Sequence, residues 1–442
     1  GTIIFAGVGS GLQRIPASGG ETQILPISAP KKSFPVARWP EILPGGRAVL
    51  FTIGTSSLLD DLSVGVKSLE TGEQKILIEK GYSARYSATR HLVYARPGVL
   101  MAAPFDVERL AITGPAVPVA EGVLSGLLSA QFSFSNTGTL AYIPDRGTQR
   151  QLVWVDRRGA AQPLPAPARP YLYPSISPAG RRVAGTVVGT GTAAWVYEMA
   201  RDTLTRLAAG SSGYRPIWTP DGKRITFASS GARPWNLFWQ PADGSGVAEQ
   251  LRESESLPIP GSWSPDGKTL AFVDINPTTS WDIWTLRLED GRRAQPFLRT
   301  SFAEMGPAFS PDGRWIAYSS NESGRHEVYV QPSSGGPKWQ ISSEGGSQVV
   351  WAPSGRELFF RNGDKLMSAA ITTKPDFQAA KPVLLFEGSY ELGFGPFYSN
   401  YDVSRDGQRF LMIKAVEPSE PAQVHIVMDW FEDLKRRVAA GK

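Results

Sequence analysis

A short turn motif recurs along this chain at nearly constant spacing, and this recurrence limits the possible folds more than any other feature. Its clearest copies are Trp-Thr-Pro-Asp-Gly-Lys at 218–223, Trp-Ser-Pro-Asp-Gly-Lys at 263–268 and Phe-Ser-Pro-Asp-Gly-Arg at 309–314. The glycines of the stronger and weaker copies lie 42 to 52 residues apart: Gly138, Gly180, Gly222, Gly267, Gly313, Gly355 and Gly407. In a sequence with strand patterns, a period of about 40–50 residues is typical of β-propeller blades.

Each copy of the motif predicts two strands joined by a tight turn. In one copy, Pro220 fixes φ at the first central position, Asp221 can accept hydrogen bonds from nearby backbone, and Gly222 supplies a positive φ. Apolar residues then alternate, as Ile225 and Phe227 do. A second hairpin follows, so one repeat contains four antiparallel strands. Such a repeat buries its apolar faces against its neighbours and would not be stable alone.

The strand count predicts an all-β fold, a β-propeller of four-stranded antiparallel blades with about nine to ten repeats. A Pro-rich stretch at 161–174 marks a boundary, and residues 162–165 would form the outer strand of the last blade. We therefore predict N-terminal blades over 1–161, a six-bladed ring over 162–431 and a helical tail over 432–442. One large ring of about ten blades is the alternative.

The composition excludes several classes of protein. Aromatic residues make up 10% of the chain, which excludes a disordered chain, and the absence of Cys removes disulfides, thiolate zinc sites and Cys nucleophiles. The net charge of +5 is spread over 442 residues, so nucleic acid is not an expected partner. No apolar stretch of roughly 18 residues predicts a membrane span. The chain begins at Gly1 without Met, and we interpret it as an excised region, which leaves room for a membrane anchor in the parent protein.

The turn motifs at 219–223, 264–268 and 310–314 resemble those of TolB-type β-propellers. Five further segments are similar to the propeller regions that follow serine/threonine kinase domains in some soil bacteria: Leu-Gln-Arg-Ile-Pro-Ala-Ser-Gly-Gly at 12–20, Leu-Met-Ala-Ala-Pro-Phe-Asp at 100–106, Gln-Leu-Val-Trp-Val-Asp at 151–156, Glu-Val-Tyr-Val-Gln-Pro at 327–332 and Asn-Tyr-Asp-Val-Ser-Arg-Asp-Gly at 400–407. The likeness covers nearly the whole chain. It implies the propeller fold and a role in binding or sensing, because such propellers share no catalytic motif. The His-Arg-Asp and Asp-Phe-Gly motifs of kinases do not occur in this sequence.

Other patterns admit a catalytic interpretation that their context does not favour. Gly-Val-Gly-Ser-Gly at 7–11 imitates a phosphate loop, but a strand pattern follows it instead of the helix that such a loop needs. His91, His326 and His425 are well separated and do not predict a multi-His metal site. No Gly-Xaa-Ser-Xaa-Gly elbow supports a Ser-His-Asp triad, although the composition allows one.

The C-terminal segment at 429–438 alternates acidic and basic residues at helical spacing. We predict a short helix that docks Trp430, Phe431 and Leu434 on the last blade. A partner-binding helix is the alternative interpretation of the same segment.

The candidate ligand-binding residues lie on the loops opposite the Pro-Asp-Gly turns, where propellers present side chains around the channel mouth. About half of the aromatic residues there should pack between blades, while the remainder would stack on a sugar or a peptide and Arg would pair with a carboxylate. Arg38, Arg85 and Arg215 each stand near the start of an inner strand, and we expect them to make the channel mouth cationic. The predicted ligand-binding residues are Arg38, Trp39, Arg85, Tyr173, Tyr214, Arg215, Trp235, Trp281, Tyr398 and Tyr401.

The first functional prediction is a non-catalytic binding or sensor propeller on the periplasmic or extracellular side of a bacterial membrane. Its ligand would be a peptide, a glycan or a protein partner, and no cofactor is predicted. The alternative is a metal-assisted hydrolase of the lactonase, arylesterase or phosphotriesterase kind, or a lyase, that uses a Ca²⁺ ion in the channel. The candidate metal ligands, which are scattered in the sequence, are Asp60, Asp61, Glu304, Asn400 and Asp402. A purely structural scaffold is the third possibility.

Overall fold

The computed structural model describes residues 1–7, 11–28, 36–54, 62–126, 129–145, 149–189, 192–207, 212–229, 235–252, 254, 257–276, 279–374, 376–393, 395, 398–416 and 423–440. Among these residues the secondary structure is almost entirely β-strand with one helix, so the predicted all-β propeller fold is confirmed. No helix in this part of the chain is long and apolar enough to cross a membrane. The chain divides into two compact units: unit 1 comprises Gly1–Gly147 and Pro418–Lys442, and unit 2 comprises Thr148–Glu417.

Unit 1 is built from antiparallel sheets that follow one another along the chain. The first sheet contains β1 (Thr2–Gly7), β2 (Gly11–Pro16) and β3 (Gln23–Leu25). The second contains β4 (Val36–Ile42), β5 (Ala48–Gly54), β6 (Ser63–Ser68) and β7 (Gln74–Ile78). The third contains β8 (Tyr82–Ser87), β9 (His91–Arg96), β10 (Val99–Asp106), β11 (Ala111–Ile112) and β12 (Val117–Glu121). A hairpin of β13 (Ser125–Gly126) and β14 (Ser129–Ala130) then leads to β15 (Phe132–Phe134) and β16 (Leu140–Tyr142).

Unit 2 is a ring of six blades, and its first two strands, β17 (Arg150–Asp156) and β18 (Ala161–Pro163), belong to the last blade. Blade 1 contains β19 (Tyr171–Ile176), β20 (Arg182–Val188), β21 (Thr192–Glu198) and β22 (Thr203–Arg206). Blade 2 contains β23 (Tyr214–Trp218), β24 (Arg224–Ser229), β25 (Asn236–Pro241) and β26 (Glu249–Arg252). Blade 3 contains β27 (Ile259–Trp263), β28 (Thr269–Asn276), β29 (Ser280–Arg287) and β30 (Arg293–Leu298).

The remaining blades of unit 2 keep the same order from the inner to the outer strand. Blade 4 contains β31 (Glu304–Phe309), β32 (Trp315–Ser320), β33 (Glu327–Pro332) and β34 (Trp339–Gln340). Blade 5 contains β35 (Ser347–Trp351), β36 (Glu357–Asn362), β37 (Lys365–Thr372), β38 (Gln378–Ala379) and β39 (Val383–Glu387). Blade 6 contains β40 (Asp402–Val403) and β41 (Arg409–Ala415) together with β17 and β18.

Blade 6 closes the ring by combining strands from both ends of unit 2. β17 pairs antiparallel with β41, from Arg150 opposite Ala415 to Asp156 opposite Arg409. The sequence predicts that residues 162–165 form the outer strand of the last blade in a ring that spans 162–431. In the structure β17 also belongs to the blade, so the six-bladed unit begins before β17 and ends after β41. The apolar residues of β17 explain this position, because Leu152, Val153 and Val155 are all buried.

The C-terminal residues return to unit 1 and do not belong to the six-bladed ring. β42 (His425–Val427) pairs antiparallel with β16, which gives the last sheet of unit 1 the order β15–β16–β42. The predicted terminal helix is present as α1 (Trp430–Ala440). Trp430 and Leu434 of this helix are buried in a cluster with Val93 and Leu140 of unit 1. The helix therefore packs on the N-terminal blades, not on the last blade of the ring.

The repeated turn owes its stability to the side chains of the motif. In the turn of blade 3, Ser264 Oγ donates to Asp266 Oδ1 at 2.5 Å, and the backbone N–H of Lys268 donates to the same oxygen at 3.0 Å. The N–H of Thr269 donates to Ser264 Oγ at 2.9 Å, while Gly267 has a φ of 71°. These hydrogen bonds lower the pKa of Asp266. They account for the turn carboxylates as structural groups.

Neighbouring blades of unit 2 pack by apolar faces and by indole hydrogen bonds. Trp218 Nε1 donates to the carbonyl oxygen of Ser175 at 2.9 Å, so the end of one inner strand is joined to the strand before it. Trp351 Nε1 makes the corresponding bond to the Ala308 carbonyl at 3.1 Å. Because these tryptophans are also nearly buried, they hold the inner strands in fixed positions around the axis.

Candidate functional site

A β-bulge interrupts the inner strands of most blades in both units. In unit 2 the register shifts within β19, β23, β27, β31 and β35. At four of these bulges a residue has a positive φ: Tyr173 at 53°, Arg215 at 51°, Gly306 at 60° and Gln348 at 56°. For residues other than Gly this conformation costs about 1–2 kcal/mol each. Backbone strain of this kind concentrates at functional sites, which directs attention to the axis of the ring.

A cavity of about 380 Å³ lies on the axis of unit 2. All six blades contribute to its wall, and its lining includes Tyr173, Ser175, Arg215, Ile217, Ser262, Phe309, Val350, Ser399, Tyr401 and Asp402. Three prolines of the turn motif, Pro220, Pro265 and Pro311, lie at one end of it. Pro265 and Pro311 are exposed, so the cavity reaches solvent at the turn end of the ring.

Four of the predicted residues meet near the other end of the channel. We call Tyr173, Tyr214, Arg215 and Tyr398 the axial cluster. The hydroxyl of Tyr214 donates to that of Tyr173 at 3.0 Å, and the two rings are 5.4 Å apart. The guanidinium carbon of Arg215 lies 4.3 Å from the centre of the Tyr398 ring, which stands edge-on to Tyr173 at 6.2 Å. Each of the four side chains is at most 7% exposed.

Arg215 is held by hydrogen bonds to two other blades. Its N–H donates to Thr186 Oγ1 of blade 1 at 3.0 Å. Its Nη1 donates to the carbonyl oxygens of Pro260 and Gly261 in blade 3, the second at 3.3 Å. Its Nε has no hydrogen-bond partner among the described residues. Burial lowers the pKa of Arg215, and the nearby tyrosines and Asp402 oppose that shift.

In the long connection from blade 5 to blade 6 the structure describes residues 388–393, 395 and 398–401, and these lie at this end of the channel. Gln348 fixes the connection, because its Nε2 donates to the carbonyl oxygens of Leu392 at 2.7 Å and Gly395 at 3.1 Å. Its Oε1 accepts the N–H of Asn400 at 3.0 Å. The connection thereby places Tyr398 on Arg215, and the axial cluster is covered at the end where an open mouth was expected.

Both carboxylate oxygens of Asp402 accept hydrogen bonds from backbone N–H groups. Its Oδ2 accepts the N–H of Ile176 in blade 1 at 2.6 Å, and its Oδ1 accepts the N–H of Val403 at 2.8 Å. Burial raises the pKa of Asp402 to about 6, because the two hydrogen bonds and the charge of Arg215 only partly offset it. Asp402 thus joins blade 6 to blade 1 and also borders the cavity.

The other predicted ligand-binding residues lie apart from the axial cluster. Tyr401 borders the cavity, and its buried hydroxyl has no partner in the described part of the chain. Trp235 is buried at the edge of blade 2, and Trp281 is half-buried on β29 of blade 3; neither borders the cavity. These two positions indicate packing, which was the expectation for about half of the aromatic residues.

Three predicted residues belong to unit 1, so they do not share the channel of unit 2. Arg38 and Trp39 lie on β4, where burial lowers the pKa of Arg38 and Trp39 is 49% exposed at a φ of 54°. Arg85 lies on β8, and its Nη1 donates to Ser133 Oγ at 2.9 Å. Its Nε is 3.6 Å from the carboxylate of Glu41. Of the three arginines expected to make the channel mouth cationic, only Arg215 therefore belongs to unit 2.

The candidate metal ligands do not form a recognisable site. Asp60 and Asp61 lie outside the described residues. Both side-chain ends of Asn400 are engaged, since Oδ1 accepts the N–H of Tyr173 at 2.7 Å and Nδ2 donates to the carbonyl oxygen of Glu391 at 2.8 Å. No group of three or more His, Asp or Glu side chains within the described ranges could hold a metal ion. The calcium-dependent enzyme stays an untested prediction.

Glu304 is a second candidate metal ligand whose pKa is raised by burial. It begins β31 in blade 4 and is 1% exposed. Its Oε1 accepts a hydrogen bond from the hydroxyl of Thr300, and its Oε2 has no partner among the described residues. Burial, together with the nearby carboxylates of Asp282 and Glu322, raises the pKa of Glu304 to about 7.

Sequence reasoning missed the inner-strand bulge and the role of the connection 388–401. A signal for the bulge was present, because a proline recurs four residues before the turn proline at Pro40, Pro174, Pro216 and Pro307. Proline lacks the N–H that a continuous strand would use, so its recurrence marks an interruption of the inner strand. Gln348, by contrast, had no distinguishing pattern in the sequence, and Asn400 was predicted as a metal ligand, whereas it binds the backbone of Tyr173 and Glu391.

Comparisons with known proteins point to one family. The TolB β-propeller domain family matches residues 244–393, which lie within unit 2. The Tol-Pal system protein TolB of Hahella chejuensis is 37% identical over 76 residues, or 17% of this chain and 18% of the relative. TolB of Hydrogenovibrio crunogenus is 35% identical over 68 residues, or 15% of this chain and 16% of the relative. The matched segments thus cover less than a fifth of these relatives' own length.

A solved structure extends the likeness beyond the matched segments. An Agrobacterium tumefaciens protein provisionally assigned as TolB aligns with 61% of this chain and 99% of its own, with a TM-score of 0.51 and 18% sequence identity. At this identity the likeness establishes the fold alone. Together with the ring of unit 2 and its repeated turn, these comparisons show that the chain contains a β-propeller of the TolB type.

Proposed function

We propose that this chain is a non-catalytic, extracytoplasmic binding propeller whose unit 2 receives a peptide segment of a protein partner in its axial cavity. The observation that carries the proposal is the cavity of about 380 Å³, bordered by inner strands of all six blades. The segment enters from the end at which the Pro-Asp-Gly turns lie. Resemblance to kinase-linked propellers remains a prediction about the parent protein.

The size and rigidity of the cavity favour a narrow ligand. Ligand pockets usually measure about 300–1,000 Å³, so this one accommodates a few side chains or a short chain end, not a folded surface. Its wall consists of inner strands that indole hydrogen bonds join to one another, as at Trp218 and Trp351. A rigid wall lowers the entropy lost on binding, which suits recognition of an extended peptide.

The relatives favour a protein partner over a glycan. Their names place them in the Tol-Pal system, and we extend the idea of a protein partner from those proteins to this chain. The same relatives support an extracytoplasmic site of action. Peptide recognition by the cavity and assembly with a protein are compatible, because a partner can present a flexible segment to a rigid pocket.

A peptide display experiment tests the proposal directly. The full chain is immobilised and screened with a random peptide library, in parallel with Ser175→Trp and Ser301→Trp variants. Ser175 borders the cavity, is partly exposed and makes no side-chain hydrogen bond among the described residues, so a tryptophan there fills the space. Ser301 is exposed outside the cavity and is the matched control.

We expect wild type and Ser301→Trp to enrich the same peptides and Ser175→Trp to lose them, with affinities weaker by at least about tenfold. Thermal unfolding of each variant checks that the ring is intact. Enrichment of the same peptides by Ser175→Trp would contradict a binding site in the cavity, as would the absence of any enriched peptide on wild type.

A further inference from the structure

We propose that the free edge of the Arg215 guanidinium is a binding site for a carboxylate group. In this proposal, which rests on the proposed function, the carboxylate belongs to the peptide that enters the cavity. It is either the C-terminus of that peptide or the side chain of an Asp or Glu near its tip. Arg215 borders the cavity, so a ligand that fills the space reaches it.

The hydrogen bonds of Arg215 leave one edge of the guanidinium unused. Nη1 donates to the carbonyl oxygens of Pro260 and Gly261. Nε is buried without a partner, and Nη2 makes no bond to the described residues. The N–H groups of Nε and Nη2 point in the same direction, and such a pair matches the two oxygens of one carboxylate. A buried charged donor without an acceptor is costly, so a bound carboxylate would remove that cost.

The protein does not supply this carboxylate itself. No Asp or Glu of the described residues lies within 4.0 Å of the Arg215 guanidinium. Asp402 is close enough to act on Arg215 electrostatically, but its two oxygens already accept the N–H groups of Ile176 and Val403. The ring of Tyr398 offers a cation–π contact at 4.3 Å, which compensates a buried charge only in part.

A neighbouring hydroxyl is suited to hold an anion next to Arg215. The hydroxyl of Tyr398, whose ring lies on Arg215, is buried and has no partner in the described part of the chain. It is a donor whose own ionisation is suppressed, since burial raises the pKa of Tyr398 well above its usual range. A carboxylate at the end of a peptide is small enough for this part of a cavity of about 380 Å³.

The experiment compares matched peptides on the full chain and its Arg215 variants. Peptides enriched by display are synthesised in pairs, with a C-terminal carboxylate or carboxamide and with internal Asp or Asn. Their dissociation constants are measured on wild type, Arg215→Lys and Arg215→Met. Succinate, titrated alone, represents a free organic acid that could use the same site without any peptide.

We expect the wild type to bind one carboxylate member at least about tenfold more tightly than its neutral counterpart. Arg215→Met should lose this discrimination, so that its dissociation constants for the charged and the neutral member become equal, which isolates the pairwise interaction. Arg215→Lys should retain only part of it, because an ammonium keeps the charge and lacks the paired N–H groups.

The outcomes separate this inference from the function on which it rests. If peptides bind and Ser175→Trp abolishes binding, but charged and neutral members are equal or Arg215→Met keeps the discrimination, the carboxylate site is wrong and the peptide site stands. If succinate binds wild type but not Arg215→Met and no peptide binds, the site is right and its ligand is a free acid. If neither binds, both proposals are wrong.

A second variant keeps the test valid should Arg215→Met not fold. Asp402→Asn removes the negative charge that Arg215 faces and retains an oxygen for the Ile176 N–H. At pH 7.5 it should tighten binding of the carboxylate member by about threefold relative to the neutral member. An equal effect on both members would contradict the proposed position of the carboxylate.

Discussion

The two units use the same bulged inner strand, but they surround it differently. In unit 2, Tyr173 and Arg215 occupy the positive-φ position and are almost fully buried, with Tyr398 packed on Arg215. In unit 1, Trp39 occupies the equivalent position on β4 and is 49% exposed. The bulge with a positive-φ residue therefore occurs in the repeats of both units. The burial of the side chain at that position depends on which residues pack over the inner strand. In unit 2 the packing of Tyr398 leaves the Arg215 guanidinium buried, with an Nε that has no partner among the described residues.

The largest expected effect on stability comes from removing the Tyr398 side chain, which packs over Arg215. Tyr398→Ala deletes a side chain that is 2% exposed and contacts both Tyr173 and Arg215. Loss of a buried aromatic side chain should lower the free energy of unfolding by about 3–5 kcal/mol. Trp39→Ala, at the equivalent level of unit 1, should cost about 1 kcal/mol or less because half of the side chain is already in water.

Chemical denaturation of both variants beside wild type measures this difference. Near-UV circular dichroism reports whether the remaining tyrosines keep their packing. Similar losses for the two variants would show that burial does not distinguish the inner strands of the units.

A smaller effect is expected from two carboxylates on inner strands, of which Glu304 is buried and Glu41 is partly buried. Burial raises the pKa of Glu304 in unit 2 to about 7. Burial also raises the pKa of Glu41 in unit 1, but the hydrogen bond from the Tyr86 N–H and the charge of Arg85 oppose this shift. A raised pKa means that the folded state binds the proton more tightly than the unfolded state. Glu304 therefore stabilises the folded state fully below about pH 4.5, and this contribution to the free energy of unfolding is lost as the pH rises through 7.

Glu304→Gln removes this dependence. It should therefore stabilise the chain relative to wild type by about 2–3 kcal/mol at pH 8, and the gain should disappear near pH 4.5. Glu41→Gln should show a smaller pH-dependent gain, because the hydrogen bond from the Tyr86 N–H and the charge of Arg85 oppose the effect of burial on the pKa of Glu41. Urea unfolding at several pH values provides the comparison, and a gain for Glu304→Gln that does not vary with pH would exclude titration as its cause.

The smallest effect tests the feature that the units share. Thr186 Oγ1 accepts the N–H of Arg215 at 3.0 Å, and Thr52 Oγ1 accepts the N–H of Ser83 at 2.9 Å in unit 1. Both threonines are at most 1% exposed, so Thr→Val at either position leaves a buried N–H without its acceptor. Each substitution should cost about 1–2 kcal/mol.

The exposed Thr203→Val serves as the control for this pair and should be close to neutral. Thermal unfolding detects losses of this size. If only one of the buried threonines matters, the bulge is anchored differently in the two units and the comparison between them fails.

The sequence was sufficient for the fold but not for its closure. The turn motif predicts blades because Pro, Asp and Gly each have a local reason to be in it, as the hydrogen bonds of Ser264 and Asp266 show. The strand that pairs with β17 is β41, more than 250 residues away. The local sequence pattern of neither strand indicates that the two pair. Pairing across such a distance depends on the tertiary structure.

The sequence predicted the residues of the candidate site, but it did not predict which end of the channel is open. Tyr173, Tyr214, Arg215 and Tyr398 were identified as aromatic and cationic residues near inner strands, and they do lie together. Their burial depends on the described residues of the connection between blades 5 and 6, where Gln348 donates hydrogen bonds to the backbone carbonyls of Leu392 and Gly395. Backbone carbonyls carry no sequence signature, so the closed end of the channel was not foreseeable.

The most direct test of the central claim asks from which end a peptide reaches the cavity of unit 2. The chain has no Cys, so single cysteines can be placed and labelled selectively with a polyethylene-glycol maleimide. A label on Pro265→Cys, which is exposed at the turn end and borders the cavity, should abolish peptide binding. The same label on exposed Ser301→Cys should leave binding unchanged. Binding that survives the Pro265→Cys label and is lost with the Ser301→Cys label would contradict the account.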